Sequence, residues 1–506
     1  MEIHPSRHFL TALGLFLITV GLCGVFAGGH VYVRDGAAMY MMSASIVDHH
    51  WFDVDSSHPN TVGGRFGPDG KYYMPFGYLQ PLLATPFFMV GRKLAETFQT
   101  DYISFFAVTV FNWCVTGMLA GAMFMGFLRM GVAPRKAAGG GLASVFATPF
   151  WVYSQTFFSE PLTALLGVLA WLSMIRYRST GHLRDVFLSA VFAGLIPSIR
   201  PLGSLLIPPL LLYLLLILKT KYPSPNSRFP VRSLAVFILP IAAGILGYLA
   251  YNAVRFGNVF ETGYNRLPDG SLRSFTLNPL FGLKVLLLSP GKSIFVFSPL
   301  LLLVPFGVPT LLRKKHTRTD TAVFLLITGL YLAVLSTWAR VEGGVAWGPR
   351  LILPAIPFLF FCITPVLNSD RNAWRRLVIL LAAVGVAIQL TGVLFNFSTY
   401  VYQHIDGYFS PVDGRYVISF NPVPGHVRSI LETVSHRGSF QSRPDAQAAW
   451  NRSSEQINPM DGLDFWWLHF YRDGVPSRFI VTSLVLLGLI LTTGIVLLRT
   501  SLINFR

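Results

Sequence analysis

The residues most able to do chemistry are a few charged side chains set beside long apolar runs. Asp35 stands in "VYVRDGAAMY", directly after the first such run, and Glu160 opens another in "SQTFFSEPLTALL". Cations gather at similar run ends: Arg34, Lys71, Arg200, Lys292, Arg340 and Arg350. A cation at that depth needs an anionic partner, because an unpaired charge taken out of water is costly. Arg200 is the sharpest case, since "IPSIRPLGS" turns between two apolar runs with almost no loop. One such side chain alone can snorkel to a lipid phosphate. Several on one face favour a phosphate-bearing ligand that enters from the membrane. A carboxylate among them is either a partner for a helix N-terminus or a base held within reach of a hydroxyl proton. Both readings stand for Glu160. Asp35, beside Arg34 and close to the end of the first run, fits an occupied site better. Tyr72 and Tyr73 follow Lys71 and either donate hydroxyls to the same ligand or anchor the loop in an aromatic belt.

Other patterns are less specific. "DHHWFDVDSSH" holds Asp48, His49, His50, Asp53, Asp55 and His58, residue types that bind divalent ions, but a hydrated loop explains it as well. The expectation is a reaction that requires no cofactor and no metal. Asp53-Val54-Asp55 has the form of a DxD motif, which is too short to be diagnostic. "SPGKS" around Lys292 lacks the first glycine of a phosphate-binding loop.

The elements that must position these residues are membrane helices. Of 506 residues 53% are hydrophobic and only 12% charged, which excludes a set of soluble domains, a disordered chain and a secreted disulfide scaffold. Cys23, Cys114 and Cys362 all lie inside apolar runs. The formal charge of +17 would suggest nucleic acid in a soluble protein; here it reflects the Lys and Arg that fix topology, and no nucleic-acid partner is expected. Runs of spanning length lie near 9–27, 102–128, 137–153, 159–175, 185–199, 202–218, 233–254, 293–312, 321–338, 351–367, 377–396 and 479–498. A further run at 74–91 is ambiguous. If it lies in the interface, the basic clusters around Arg135, Arg178, Lys219, Lys314 and Arg375 all share the cytoplasmic side. The predicted fold class is therefore an all-α polytopic membrane protein of about twelve transmembrane helices, with interfacial helices in a first outer loop at 28–100. Residues 1–396 form the transmembrane core, 397–477 an outer segment rich in Ser, Pro, Gly and Asp, and 478–506 the last span and a cytoplasmic tail. The first run lacks a cleavage site and reads as a retained span.

The strings "RDGAAMY", "DGKYYMPFGYLQPLLATPFF", "FFSEPL", "SIRP", "YNAVRFGNVFETGY", "LLSPGKSIFVFSPLLLL" and "WGPRLILPAIPF" follow in this order between residues 34 and 358, and the resemblance they carry covers nearly the whole chain. Together they resemble the GT-C superfamily of membrane glycosyltransferases that use a polyprenyl-phosphate lipid carrier, with distant similarity to the lipid A aminoarabinose transferase and the protein O-mannosyltransferases. The resemblance implies that Asp35 occupies the position of the catalytic acid in the first outer loop and Glu160 that of the second. It implies further that Lys71, Arg200 and Arg350 are carrier-phosphate ligands. Gly36 departs from the superfamily's common form, which has an acid there.

The chemistry of such a transfer matches the residues. A sugar on a polyprenyl phosphate already carries a good leaving group, so cations that stabilise the departing anion are needed and a general acid is not. The acceptor hydroxyl is a poor nucleophile and needs one base. The expected function is transfer of a sugar from a polyprenyl-phosphate donor to a hydroxyl of an envelope acceptor (glycan, lipid or protein). Inversion is expected, on the outer face of a bacterial inner membrane. Asp35 would be the base, Glu160 would orient Arg200 or a sugar hydroxyl, and Lys71, Tyr72, Tyr73, Arg200, Lys292, Arg340 and Arg350 would bind substrate and carrier phosphate. The rival is a transporter or flippase of a lipid-linked or anionic solute, which predicts charged or broken spans near the bilayer midplane and a pseudo-repeat.

Overall fold

The computed structural model describes residues 5–28, 34–58, 63–222, 230–264, 275–344, 346–397, 421–435 and 463–503. They form a helical bundle. Seven helices are each long and apolar enough to cross a membrane: Ser6–Phe26, Tyr102–Arg129, Pro201–Lys221, Val231–Phe256, Lys315–Ser336, Asn372–Leu394 and Ser477–Ile503.

In chain order the elements are α1 (Pro5–Phe26), α2 (Arg34–Asp48), β1 (Arg65–Phe66), β2 (Tyr72–Tyr73), α3 (Leu79–Phe98), α4 (Tyr102–Arg129), α5 (Pro134–Phe146), α6 (Phe150–Ser154), α7 (Glu160–Thr180) and α8 (Leu183–Leu195). Then follow α9 (Ile207–Lys221), α10 (Val231–Phe256), α11 (Pro279–Leu288), α12 (Ile294–Phe297), α13 (Val304–Arg313), α14 (Lys315–Ser336), α15 (Ile356–Phe361), α16 (Thr364–Asn368) and α17 (Asn372–Leu394). Helices Pro422–Ser435, Trp466–Arg472 and Ser477–Ile503 complete the described chain.

Several apolar runs that read as single spans are broken in the structure. The 137–153 run is α5 and α6 with a break before Pro149; the 293–312 run is α12, a 3-10 turn at Pro299–Leu303 and α13; the 351–367 run is a 3-10 turn at Arg350–Ala355 followed by α15 and α16. Proline explains the breaks: each removes an N–H and collides with the preceding turn, so hydrophobicity persists where the α-helical ladder does not. Side chains satisfy some of the released carbonyls, as where the Thr148 hydroxyl donates to Ser144 O at 2.7 Å.

The first and last spans lie side by side. A Cβ on Gly14 would approach Leu498 N to 2.9 Å, and one on Gly494 would approach Ile18 N to 2.8 Å, so the two backbones meet through glycine. Thr11 and Ser501 add a hydroxyl bond of 2.9 Å near the same end. The interior is aromatic: the rings of Trp171 and Phe361 lie 4.6 Å apart, with Phe127 at 5.2 Å from Phe361.

Contacts collect the basic clusters at one end. Arg178 of α7 pairs with Asp320 of α14 at 2.7 Å, Lys221 of α9 donates to Tyr177 O at 2.9 Å, and Lys136 of α5 reaches Asp370 at 3.5 Å. At the other end, α3 folds back along the first half of α4, with Phe87 against Phe111 at 6.0 Å. α3 carries Arg92 and Lys93 and is not among the seven helices of spanning type. Of the outer segment expected at 397–477, residues 398–420 and 436–462 lie outside the described residues. Its described parts join the bundle: Trp466 N donates to Ala27 O at 2.8 Å, and His426 Nδ1 lies 3.0 Å from Thr391 O on α17.

Candidate active site

The site is built on the N-terminus of α7. The segment before it is pinned by amides inside the bundle: Asn112 Nδ2 donates to Thr156 O at 2.7 Å and Phe158 O at 2.9 Å, and Gln80 Nε2 donates to Phe157 O at 2.9 Å. Glu160 follows, fully buried, in the first turn beside Pro161.

Three charged partners arrive from distant parts of the chain. Arg350 Nε donates to Glu160 Oε1 at 2.8 Å, and Arg350 Nη2 donates to Asp35 Oδ2 at 2.7 Å. Arg200 Nη1 donates to the same Glu160 Oε1. The Arg350 guanidinium also lies 3.6 Å from the centre of the Phe158 ring, a favourable cation–π stack. One buried carboxylate oxygen thus holds two guanidiniums, and one of these holds Asp35. Arg350 is almost wholly buried, whereas a third of the Asp35 side chain remains exposed. Among the described residues, Glu160 Oε2 is buried without a hydrogen-bond partner. The two acids balance the two arginines, and a fork of five N–H donors on each arginine leaves donors for a further anion.

The loop that delivers Arg350 is fastened at several points. Gly343, Gly344 and Gly348 adopt positive φ, at Gly348 with the backbone against the Phe297 ring. Lys292 Nζ donates to Ala346 O at 2.6 Å, Tyr153 Oη donates to Trp347 O at 2.8 Å, and Trp347 Nε1 donates to Gln389 Oε1 at 3.0 Å. Gln389 Nε2 donates in turn to Phe297 O at 2.8 Å. Sequence reasoning missed Asn112, Gln80, Tyr153, Trp347 and Gln389. Asn112 and Gln389 had a signal, since an amide inside an apolar span is expensive unless it holds something.

The other predicted residues have different surroundings. Lys292 is buried and its ammonium donates to the backbone carbonyls of Gly344 and Ala346, so it secures the loop before Arg350. Lys71 lies 3.6 Å from Asp53 and over the Trp51 ring. Tyr73 is buried and donates to Asp69 while accepting from Trp51 Nε1 at 2.7 Å; Tyr72 is half-buried on the β1–β2 hairpin, opposite Phe66. Arg340 is exposed and pairs with Glu342 at 3.5 Å. The structure therefore joins Asp35, Glu160, Arg200 and Arg350 in one array and gives Lys71, Tyr72, Tyr73 and Arg340 other partners. Of the acids in the histidine-rich string, Asp48 pairs with Arg92, Asp53 with Lys71, and Asp55 accepts from Ser57.

The segment before α3 packs beside the array. Buried Arg255 at the end of α10 donates to Met74 O and Phe76 O and stacks on Tyr251 at 3.8 Å. Gly77 packs so closely that a Cβ there would meet Ser198 O at 2.2 Å, next to Arg200. Tyr264 contacts Phe76 with ring centres 6.2 Å apart. Its phenol is held above its usual range by burial, with Asp35 adding to the rise and Arg200 and Arg350 opposing it, so Tyr264 stands within the field of the array.

No protein-family model and no curated protein matches the chain by sequence. Solved structures do. ArnT from Cupriavidus metallidurans bound to undecaprenyl phosphate is similar at a TM-score of 0.50 and 12% identity, covering 95% of this chain and 77% of that one. The same enzyme in the apo state gives a TM-score of 0.51 and 10% identity over 97% and 78%. The oligosaccharyltransferase of Archaeoglobus fulgidus in the apo form gives 0.45 and 12% over 83% and 60%. The chain has the GT-C fold. Within the GT-C fold of this protein the charged array occupies one end of the bundle, under the first interhelical loop, and the basic clusters occupy the other.

Proposed function

We propose that this protein transfers a sugar from a polyprenyl-phosphate donor to a hydroxyl of an envelope glycan, lipid or protein, with inversion at the anomeric carbon. The site would face the outer side of a bacterial inner membrane. The observation that carries the reading is the bridge made by Arg350 between Asp35 and Glu160, with Arg200 on the same Glu160 oxygen. The GT-C fold and the undecaprenyl phosphate bound to an ArnT of that fold support it.

In this reading the carrier phosphate takes up donors of Arg350 and Arg200, which offset the charge that grows on the leaving oxygen. The array is balanced before the donor enters, two acids against two arginines. An incoming phosphate therefore competes with Asp35 for Arg350. That competition frees the Asp35 carboxylate, the more exposed of the two, to take the acceptor's proton. The new glycosidic C–O bond forms as the bond from the anomeric carbon to phosphate oxygen breaks, the proton goes to Asp35, and the carrier leaves as polyprenyl phosphate. Glu160 is the positioning residue: buried and shared by both arginines, it is poorly placed to receive a proton from an entering hydroxyl. One nearby base favours direct displacement over a covalent route, which needs a second carboxylate as nucleophile. The step so written calls on no metal ion.

The test uses purified protein with a polyprenyl-phosphate-linked sugar and a crude envelope acceptor. Acceptor-dependent release of carrier phosphate, lost in Asp35→Asn, is expected. Unchanged release by a folded Asp35→Asn protein overturns the assignment of the base, and absence of transfer with every lipid-linked sugar overturns the activity.

A further inference from the structure

At the end of the bundle opposite Asp35 and Glu160, α5 and α17 leave a groove of about 480 Å³ between them. Its wall is apolar, with Ala143, Val378, Ile379 and Ala382, and Ile379 is 58% exposed on a helix of spanning type. Its mouth is cationic, formed by Lys136 near the start of α5 and Arg375 in the first turn of α17. Among the described residues no side chain caps either helix N-terminus, so first-turn N–H groups of two helices remain available to an anion. Asp370, a fully exposed acid, lies 3.5 Å from Lys136. Among the described residues Arg375 has no ion pair. One solvated acid against two side-chain cations and two helix N-termini leaves the mouth positive.

An apolar slot beside a spanning helix with a positive mouth matches a molecule that is apolar along its length and anionic at its head. We infer that this groove binds an anionic phospholipid, its phosphate at Lys136 and Arg375 and an acyl chain along the wall from Val378 to Ala382. A zwitterionic lipid fits less well, because its ammonium group meets the same two cations and helix dipoles. The site would tie α5 to α17 and thereby brace two elements whose far ends lead to the loop of Arg350.

The test is native mass spectrometry of protein taken from nanodiscs that contain phosphatidylcholine and phosphatidylglycerol with the same acyl chains. Wild type should retain phosphatidylglycerol over phosphatidylcholine by roughly tenfold or more, since each basic residue near a membrane surface contributes on the order of 1 kcal/mol. Lys136→Gln with Arg375→Gln should abolish the preference, while Lys315→Gln with Arg318→Gln at the same end should leave it. Equal retention of the two lipids by wild type overturns the inference independently of any variant. So does an unchanged preference in the Lys136 and Arg375 double variant, or an equal loss in the control pair. Displacement by glycerol phosphate at the same concentration would identify a site for a soluble phosphate and would likewise overturn it.

Discussion

Two guanidiniums on one buried carboxylate oxygen make Glu160 the residue on which the others depend. Taking away that carboxylate leaves Arg200 and Arg350 facing one another beside Phe158, and an uncompensated buried charge typically costs about 3–5 kcal/mol. Glu160→Ala should therefore lower the unfolding midpoint in detergent as well as abolish turnover. Asp35 is different, because part of it remains exposed and it accepts from Arg350 through one oxygen. Asp35→Asn keeps the shape and removes the base, so turnover should fall by a factor on the order of 10² to 10⁴. Donor affinity should be retained, since the phosphate then meets less competition for Arg350; single-turnover kinetics with a lipid-linked sugar separate the two effects. Lys292 gives a pH signature. Burial pushes its ammonium down to about 7 from 10.5, with Glu342 opposing and Arg350 reinforcing the fall. A folded-state value below the unfolded one means that the unfolded chain binds more protons between them. Stability from this group is lowest below about 7 and rises as pH climbs towards 10.5. Lys292→Met should flatten that slope in thermal unfolding measured across the interval.

The helices that deliver these residues are fastened by polar side chains set into apolar surroundings. Gln389 on α17 holds both the Trp347 indole and Phe297 O, and so fixes the backbone three residues before Arg350. Gln389→Leu keeps the volume and removes both bonds. It should reduce turnover more than it reduces donor affinity, with the helical content by circular dichroism unchanged, because a small displacement of a positioned group is enough to impair catalysis. At the opposite end, Asp320 of α14 accepts from Arg178 of α7, from Tyr213 of α9 and from Trp171 Nε1 at 3.2 Å. Asp320→Ala leaves the buried Tyr213 hydroxyl and Trp171 Nε1 without their acceptor and the half-buried Arg178 unpaired, and should destabilise by about 1–3 kcal/mol. Activity below the unfolding transition should be little affected, since the array lies at the other end of α7.

Across the whole molecule the charge pattern is polar in direction, with the array at one end and the basic clusters at the other. Cysteine labelling tests how that axis is set in the membrane: a cysteine at exposed Ser57 should react from the outer side and one at exposed Arg318 from the cytoplasmic side. Labelling of both from the same side would break the threading. Much of this was legible in the sequence. Hydropathy gave the all-helical membrane architecture, because backbone groups in lipid must be satisfied within a helix or a closed barrel and the runs are too long for strands. The charged residues at run ends put Asp35, Glu160, Arg200 and Arg350 among the candidates, because a charge at that depth requires a partner, but the same argument also named Lys71, Lys292 and Arg340, which have other partners. What hydropathy could not show was where apolar runs break, since α12 and α13 are as hydrophobic as an unbroken span and only the proline positions interrupt their ladder. Nor could any spacing show that Arg350, 315 residues from Asp35, would bridge it to Glu160, or that Lys71 would pair with Asp53. Helix periodicity specifies which face of a span is apolar, but which spans become neighbours depends on close backbone contacts such as Gly14 with Leu498. Partner choice among like-charged residues is decided by that packing, and one-dimensional order carries no record of it.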